Sequence, residues 1–409
     1  MAYKSLKKLF YMDSSSERFA NNKRLAAERL NAESTFRTGM ITGEGELFLA
    51  VPHELSVLSE QVLRKERVLQ TLQTSIPRIA RGALVRSLVI DEVVGTNSLE
   101  GIHSTRGQIS ELLETVPPTS NESDKRFREL AMLYLGLSSG QSASPKSLQD
   151  IRAIYDQVMA GEVLGPNAPD GKLFRQNAVE VIGDGGKTLH EGAQTEAEIS
   201  SGLGIMLALV SSPDVPELYS ALMSHYIFEY IHPFYDGNGR TGRYLLALYL
   251  SGPLSTLTAL SLSREIAENR GPYYRTFQET EHHMNHGELT PFVLQMLQYV
   301  SAAQDRVIGD LSDKSHLLER GETALTAAQK TLGLSKGERN LLFFLVQHDL
   351  FAAFPDVRLD DVDGYMGMGR QSVRKYFGRL VERGLASQVG GRPLRFELSA
   401  AGRALLEGE

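Results

Sequence analysis

Residues 232–243 read His-Pro-Phe-Tyr-Asp-Gly-Asn-Gly-Arg-Thr-Gly-Arg, which puts a proton acceptor, a carboxylate, a glycine-flanked amide turn and two guanidiniums into one short segment. That inventory suits a polyphosphate. Pro233 biases His232 away from the helical region, so a helix is expected to run to Ile231 and stop, with the imidazole projecting from the break. Phe234 is the one strongly apolar side chain before the glycines, and is expected to bury beneath the loop and hold the polar groups outward. Gly237 and Gly239, on either side of Asn238, let the backbone turn tightly and aim its N–H groups at an anion. Residues 240–250 then read as a helix whose positive dipole end faces the same place. Arg240 and Arg243 stand three apart, on one helical face, where planar guanidiniums can grip phosphate oxygens. Asp236 is the one carboxylate of the cluster, and a carboxylate beside phosphates commonly holds Mg²⁺. The chemistry implied is nucleotidyl or phosphoryl transfer.

Other readings of the same residues fail on context. Gly237, Gly239 and Gly242 satisfy the dinucleotide fingerprint G-x-G-x-x-G, but that motif needs a preceding strand. Residues 216–231 instead carry Leu218, Leu222, Tyr226 and Tyr230 at helical spacing behind Pro216, a residue suited to a first turn. A calcium loop would need an oxygen ligand where Arg240 stands. His225 and His232, with Asp236, suggest a transition-metal set, yet His225 on an apolar helical face reads as a hydrogen-bonded core residue. Gly186-Lys187-Thr188 lacks the upstream glycine of a P-loop, Val181 occupying its place.

The segment resembles the signature of the Fic-domain family, H-x-F-x-[DE]-G-N-G-R-x-x-R, with every specified position matched. The resemblance implies a mostly helical catalytic core that transfers AMP from ATP to a hydroxyl of a target protein and releases pyrophosphate. By that resemblance His232 is the general base, with an imidazole near its ordinary pKa, and Asp236 binds Mg²⁺. Gly237, Asn238 and Gly239 form the anion hole, and Arg240 and Arg243 take the outer phosphates. Upstream, Thr96-Asn-Ser-Leu-Glu100-Gly101 fits the family's inhibitory pattern [ST]-x-x-x-E-[GN]. Glu100 is thereby expected to pair with Arg243 in the place of the γ-phosphate, leaving the enzyme autoinhibited. Residues 176–192, with Val179, Val181 and Leu189 about the glycines of 183–186, read as a hairpin. In the family such a flap clamps the target segment by strand pairing. Tyr273, Tyr274 and Asn285 resemble adenine-pocket positions. Another chemistry of the same family, such as AMP removal or UMP or phosphate transfer, remains an alternative reading, as does a DNA-binding regulator that uses the domain as a nucleotide sensor.

The elements that must position these residues are mainly helical. Apolar spacing of helical type marks 55–72, 79–99, 124–137, 147–160 and 196–210, with a loop at 116–123. The polar first fifty residues read as an extension. The expected division is 1–80 for an N-terminal extension and helix, 81–305 for the catalytic domain, 306–334 for a linker and 335–409 for a small separate domain. That last segment reads helix, helix, turn, helix and hairpin, a winged helix-turn-helix. Val373, Phe377, Leu380 and Val381 are expected to point inward on its third helix. Across 370–395 Arg370, Arg374, Lys375, Arg379, Arg383, Arg392 and Arg395 face a single acid, Glu382. DNA is therefore a candidate partner there, and the apolar face of 55–72 could pair two copies of the chain.

At 409 residues and 42% hydrophobic composition, the chain can bury more than one core, and its net charge of −7 argues against coating nucleic acid over its whole surface. Cysteine is absent, which excludes disulfides and thiolate chemistry. No apolar run is long enough to span a bilayer, and no signal-peptide core precedes Asp13. A reducing cytoplasm is the expected location.

Overall fold

The computed structural model describes residues 3–114, 122–182 and 188–407. It separates into two compact units, Met1–Arg67 with Asp91–Asp305, and Val68–Ile90 with Arg306–Glu409.

The first unit opens with helices α1 (Leu6–Met12) and α2 (Arg18–Leu30) and an antiparallel hairpin of β1 (Thr35–Thr42) and β2 (Gly45–Ala50). The first fifty residues, expected as a loose extension, are thus folded. Leu6, Ala26, Phe48 and Ala50 share a buried cluster. The Phe48 N–H donates to the Gly287 carbonyl at 3.1 Å, and the Phe48 carbonyl accepts from the Leu289 N–H at 2.8 Å. These elements are short and their partners lie far along the chain, so local periodicity could not reveal them.

Helices α3 (His53–Ser75), α4 (Arg78–Leu99), α5 (Arg106–Glu114), α6 (Glu122–Ser138) and α7 (Leu148–Val158) follow. The loop expected at 116–123 lies outside the described residues as far as 121, and α6 begins directly afterwards. Leu55 and Val62, from the segment considered for pairing two copies, are fully buried within the single chain, while Val57 and Val68 of the same helix are exposed. A short flap, β3 (Glu180–Ile182) antiparallel to β4 (Thr188–Glu191), precedes α8 (Glu196–Val210), α9 (Glu217–Ile231) and α10 (Asn238–Leu250). The glycine turn of the flap, 183–186, lies outside the described residues. Helix α9 is buried on nearly every side, from Leu218 through Phe228 and again at Ile231. A helix apolar all round belongs at the centre of a core, and this one ends at His232. Helices α11 (Thr256–Ala259), α12 (Leu262–Glu268), α13 (Arg270–Thr280) and α14 (Thr290–Thr331) complete the order. The linker expected over 306–334 is therefore mostly helix. Its charged residues solvate α14, as the Lys314–Asp310 pair at 2.9 Å illustrates.

The second unit carries α15 (Lys336–Phe351), β5 (Val357–Arg358), α16 (Leu359–Met366), α17 (Arg370–Glu382), β6 (Ala386–Gly391), β7 (Leu394–Leu398) and α18 (Ala400–Glu407), with its strands in the order β5-β7-β6. Ser335 and Glu338 close a capping box at the start of α15. Val373, Phe377 and Leu380 are buried, but Val381 is 39% exposed. At 3.6 residues per turn Val381 stands about 80° around the helix from Val373, on the flank of the apolar stripe. Among the described residues no helix is long and apolar enough to cross a membrane.

Candidate active site

His232 is the C-cap of α9 and holds the left-handed conformation, φ 52° and ψ 63°. A non-glycine residue there is strained, so something must hold it. Arg175 does so from a fully buried position. Its Nε donates to the His232 carbonyl at 2.7 Å, Nη2 to the Ile231 carbonyl at 3.1 Å and Nη1 to the Asn177 carbonyl at 2.6 Å. The guanidinium satisfies carbonyls that a helix end leaves without partners and sets where the imidazole points. Nothing in the sequence signals this: Arg175 is an isolated cation in a stretch without periodicity.

His232 Nδ1 lies 3.3 Å from the Glu229 carbonyl, which can only accept. The proton therefore belongs on Nδ1, and Nε2 presents the lone pair. Burial pushes the imidazole down to about 4, against the pull of that carbonyl, and the charges of His190 and Arg175 lower it further. The group is neutral throughout the physiological range, well below the ordinary value expected from the sequence, because desolvation penalises imidazolium.

Phe234 is fully buried beneath the loop, stacked on Tyr155 with centroids 3.6 Å apart. Asn238 closes the turn above it. Its Oδ1 accepts from the Phe234 N–H at 3.0 Å and its Nδ2 donates to the Phe234 carbonyl at 2.8 Å. What Asn238 can offer an anion is therefore its backbone N–H. With Gly239 and Arg240 it forms the first turn of α10, whose N–H groups have no intrahelical acceptor. Gly237 needs its freedom, with φ 79° and the Met159 sulfur 2.3 Å from where a Cβ would sit. Asp236 is exposed, and one of its oxygens accepts from the Gly237 N–H at 2.6 Å.

Both arginines are buried and paired. Arg243 Nη2 forms an ion pair with Glu100, its Nε donates to the Thr96 hydroxyl at 2.8 Å, and Nη2 also reaches the Thr96 carbonyl at 3.2 Å. A Cβ on Gly239 would fall 2.2 Å from Glu100 Oε1, so this carboxylate lies directly over the first turn of α10. Burial alone would raise the Glu100 carboxyl, but the charge and hydrogen bond of Arg243, with Arg240 and His232 behind them, hold it below the usual range. Burial pushes the neighbouring Glu229 up to about 7. Glu229 is thus only partly charged near neutrality, and Glu100 is the stronger counter-ion for Arg243. Arg240 pairs with Glu162, which also draws Arg126 at 3.7 Å. Glu162 carried no signal in the sequence, since it lies just past the end of α7 outside any periodic run.

Tyr274 is 42% exposed, and its hydroxyl donates to the Leu99 carbonyl at 3.3 Å, beside Glu100. Tyr273 is a core residue whose hydroxyl meets His225 Nε2 at 2.8 Å. His225 is fully buried and pushed down to about 3 by burial, as a neutral core histidine should be. Asn285 is not brought to the site. It is fully enclosed, and its amide donates to the carbonyls of Thr280 and Glu288. Its backbone sits in a short 3-10 turn, His283–Asn285, that points the side chain inward.

Gly192 leaves the flap against this centre. A Cβ there would meet Arg175 Nη2 at 2.7 Å, His232 Cβ at 3.0 Å and the Ile231 carbonyl at 3.1 Å. Neither the buried guanidinium nor the helix end can retreat. Gly192→Ala is expected to lower stability by about 1–3 kcal/mol and to move the imidazole, read as a lower melting temperature together with reduced turnover.

Residues 145–250 match the family model described as Fic/DOC family. Over 117 residues the chain is 32% identical to the protein adenylyltransferase fic-1 of Caenorhabditis elegans, covering 28% of this chain and 21% of that one. Over 255 residues it is 26% identical to the protein adenylyltransferase Fic of Culex quinquefasciatus, covering 61% of this chain and 46% of that one. The chain thus spans less than half the length of these curated relatives. A solved Fic family protein from Desulfovibrio desulfuricans superposes with a TM-score of 0.54 at 19% identity, covering 86% of this chain and 97% of that one, which shows a shared fold. The match spans His232 through Arg243 and the helices that hold them, so the resemblance to the Fic/DOC family is carried by residues 145–250.

Proposed function

We propose that the protein transfers AMP from ATP to a serine, threonine or tyrosine hydroxyl of a target protein, itself included, and that its Thr96–Glu100 segment restrains this activity. The observation that carries the reading is His232 Nε2, which has no hydrogen-bond partner among the described residues and is a neutral acceptor beside the open N-terminus of α10. The hydroxyl oxygen attacks the α-phosphorus while its proton passes to Nε2. The bond from that phosphorus to the bridging oxygen breaks, and pyrophosphate leaves. The N–H groups of Asn238, Gly239 and Arg240 and the guanidiniums of Arg240 and Arg243 are placed to stabilise charge on the phosphates.

Mg²⁺ fits the donor set: Asp236 is an exposed carboxylate, one oxygen of which accepts from the Gly237 N–H, and a single carboxylate plus phosphates is a common arrangement. Bound there, the ion would neutralise part of the phosphate charge. The flap β3–β4 offers the target a strand edge. Incubation of the purified protein with ATP labelled at the α-phosphate and Mg²⁺ is expected to label it covalently, whereas γ-labelled ATP is expected to leave it unlabelled. Label retained from the γ position instead would indicate phosphate transfer and overturn the reading.

We further infer that the second unit is a winged helix that binds DNA through α17 and the β6–β7 hairpin. Arg370 pairs with Asp360, Arg379 with Glu338 and Arg395 with Asp356, while Arg383 donates to the Leu332 carbonyl. Arg374 and Lys375 on α17, and Arg392 at the hairpin tip, are exposed. Three cations set the expected salt dependence, a slope of log K against log salt of about −3. A measured slope near zero would remove DNA as partner.

A further inference from the structure

The flap meets the end of the catalytic helix through the Ala193 N–H, which donates to the Ile231 carbonyl at 3.0 Å, and through one titratable side chain. His190 on β4 places Nε2 2.6 Å from the Tyr230 carbonyl, in the last turn of α9, and Nδ1 3.0 Å from a Glu281 carboxylate oxygen, just after α13. A carbonyl and a carboxylate both accept, and neither can donate. A neutral imidazole carries one proton, so it can satisfy only one of them. Both contacts exist together only when both ring nitrogens are protonated.

Other charged or titratable groups surround the ring. Tyr230 lies beside it with centroids 4.9 Å apart, and Glu44 reaches it from the β1–β2 turn. His232 and Glu229, at the end of α9, each feel the His190 charge. Tyr230 is pushed up to about 12 by burial and remains a neutral phenol. Burial pushes His190 down, but the hydrogen bond and charge of Glu281, with the Tyr230 carbonyl and Glu44, outweigh it and raise the imidazole above its ordinary value.

We infer that His190, as imidazolium, is a positioning residue that locks flap strand β4 onto the end of α9, so that the strand edge offered to a target segment is held in place only while this ring is charged. The inference rests on the flap-clamping role proposed above. The sign follows from the charged form being the one bound. The latch is complete below the ordinary imidazole value of about 6.5 and is lost as pH rises through the higher value of the folded state. Deprotonation strips one ring nitrogen of its proton and leaves a lone pair facing an acceptor, so one of the two anchors breaks. The same charge sits close enough to His232 to help keep the catalytic imidazole neutral. One residue thereby links flap position to the state of the base.

The test uses the full chain and two readouts. In amide hydrogen exchange without any ligand, corrected for intrinsic rates, flap residues 188–193 of the wild type are expected to be protected in mildly acidic buffer. They should loosen about tenfold or more as pH rises through the latch value, a change on the scale of one charged hydrogen bond. His190→Gln is expected to be loose at every pH, and Glu281→Gln to shift the transition to lower pH. Exchange over α9 reports whether each variant is folded, and the wild-type profile requires no substitution. In the second readout every form, with the native His190 as wild type, also carries Glu100→Gly so that the site is open, and α-labelled ATP is used to follow self-labelling against pH. The wild type is expected to lose rate on the alkaline side at the same pH as the flap loosens, and His190→Gln to lose that limb. Wild-type flap exchange that is flat with pH, or a His190→Gln labelling profile that overlays the wild type, overturns the latch. Absence of labelling in every form, with the exchange transition present, would instead refute AMP transfer and leave the latch standing.

Discussion

His232→Ala is expected to abolish transfer of label from ATP, by roughly 10²–10⁴-fold, the usual contribution of a positioned general base. The geometry makes this residue difficult to replace. Nδ1 is engaged by the Glu229 carbonyl at 3.3 Å, which leaves Nε2 as the acceptor, and the Arg175 guanidinium holds the carbonyls of residues 231 and 232. Alanine keeps the backbone but removes the acceptor. ATP binding, measured by calorimetry on the Glu100→Gly background so that the site is open, is expected to stay within about threefold, since binding is carried by the helix end and the guanidiniums. Transfer that survives the substitution would show that the proton leaves by another route.

The pH profile offers an independent check. A base depressed to about 4 by burial accepts protons above that value, so the acid limb of the rate is expected near it rather than near the ordinary imidazole value of about 6.5. Bound phosphates would raise the value somewhat, because nearby negative charge favours imidazolium. An acid limb centred on neutrality would contradict the buried, neutral base.

Glu100→Gly is expected to raise transfer by about 10–100-fold, the scale of one charge-assisted hydrogen bond that phosphate must otherwise displace. Glu100 is bonded to Arg243 Nη2 and lies over Gly239, so a phosphate reaching that arginine competes with a carboxylate already seated there. The restraint does not depend on ordinary changes of pH. A carboxyl held below its usual range stays ionised as pH falls until that lowered value is reached. The proposed Glu100–Arg243 restraint is therefore expected to persist across neutral pH, so activity there cannot come from its titration. The substitution also leaves a buried guanidinium without its main counter-ion, a loss of stability of up to about 3–5 kcal/mol. Thr96 still holds Nε at 2.8 Å, which limits the damage. The melting temperature without ATP is expected to fall and to recover on adding ATP. Equal rates for the two proteins, with equal ATP affinity, would remove the inhibitory role.

What could be read without a structure was local. The stop of α9 at Ile231 followed from Pro233, the burial of Phe234 from its being the one apolar residue of the loop, and the start of α10 from the glycines, although the helix begins at Asn238 rather than at residue 240. Helices α15, α16 and α17 and the β6–β7 hairpin followed from periodicity and turn residues, whereas α18 did not. The folded N-terminal segment and the helical span 306–331 did not. The first is stabilised by the remote segment at 287–289, and the second has the charged composition of a linker and of a solvated helix alike.

The order of residues along the chain determined which groups meet within one turn of backbone: base, carboxylate, anion-binding amides and arginines all lie inside a dozen positions, where covalent geometry fixes their neighbourhood. The resemblance already paired Glu100 with Arg243, but tertiary structure alone decided the other partners brought from far away, Arg175 behind His232, Glu162 on Arg240 and Glu281 on His190. The reason is physical. A single charged residue leaves no periodic trace in a sequence, and its counter-ion is selected only when packing removes water from both and makes an unpaired charge costly.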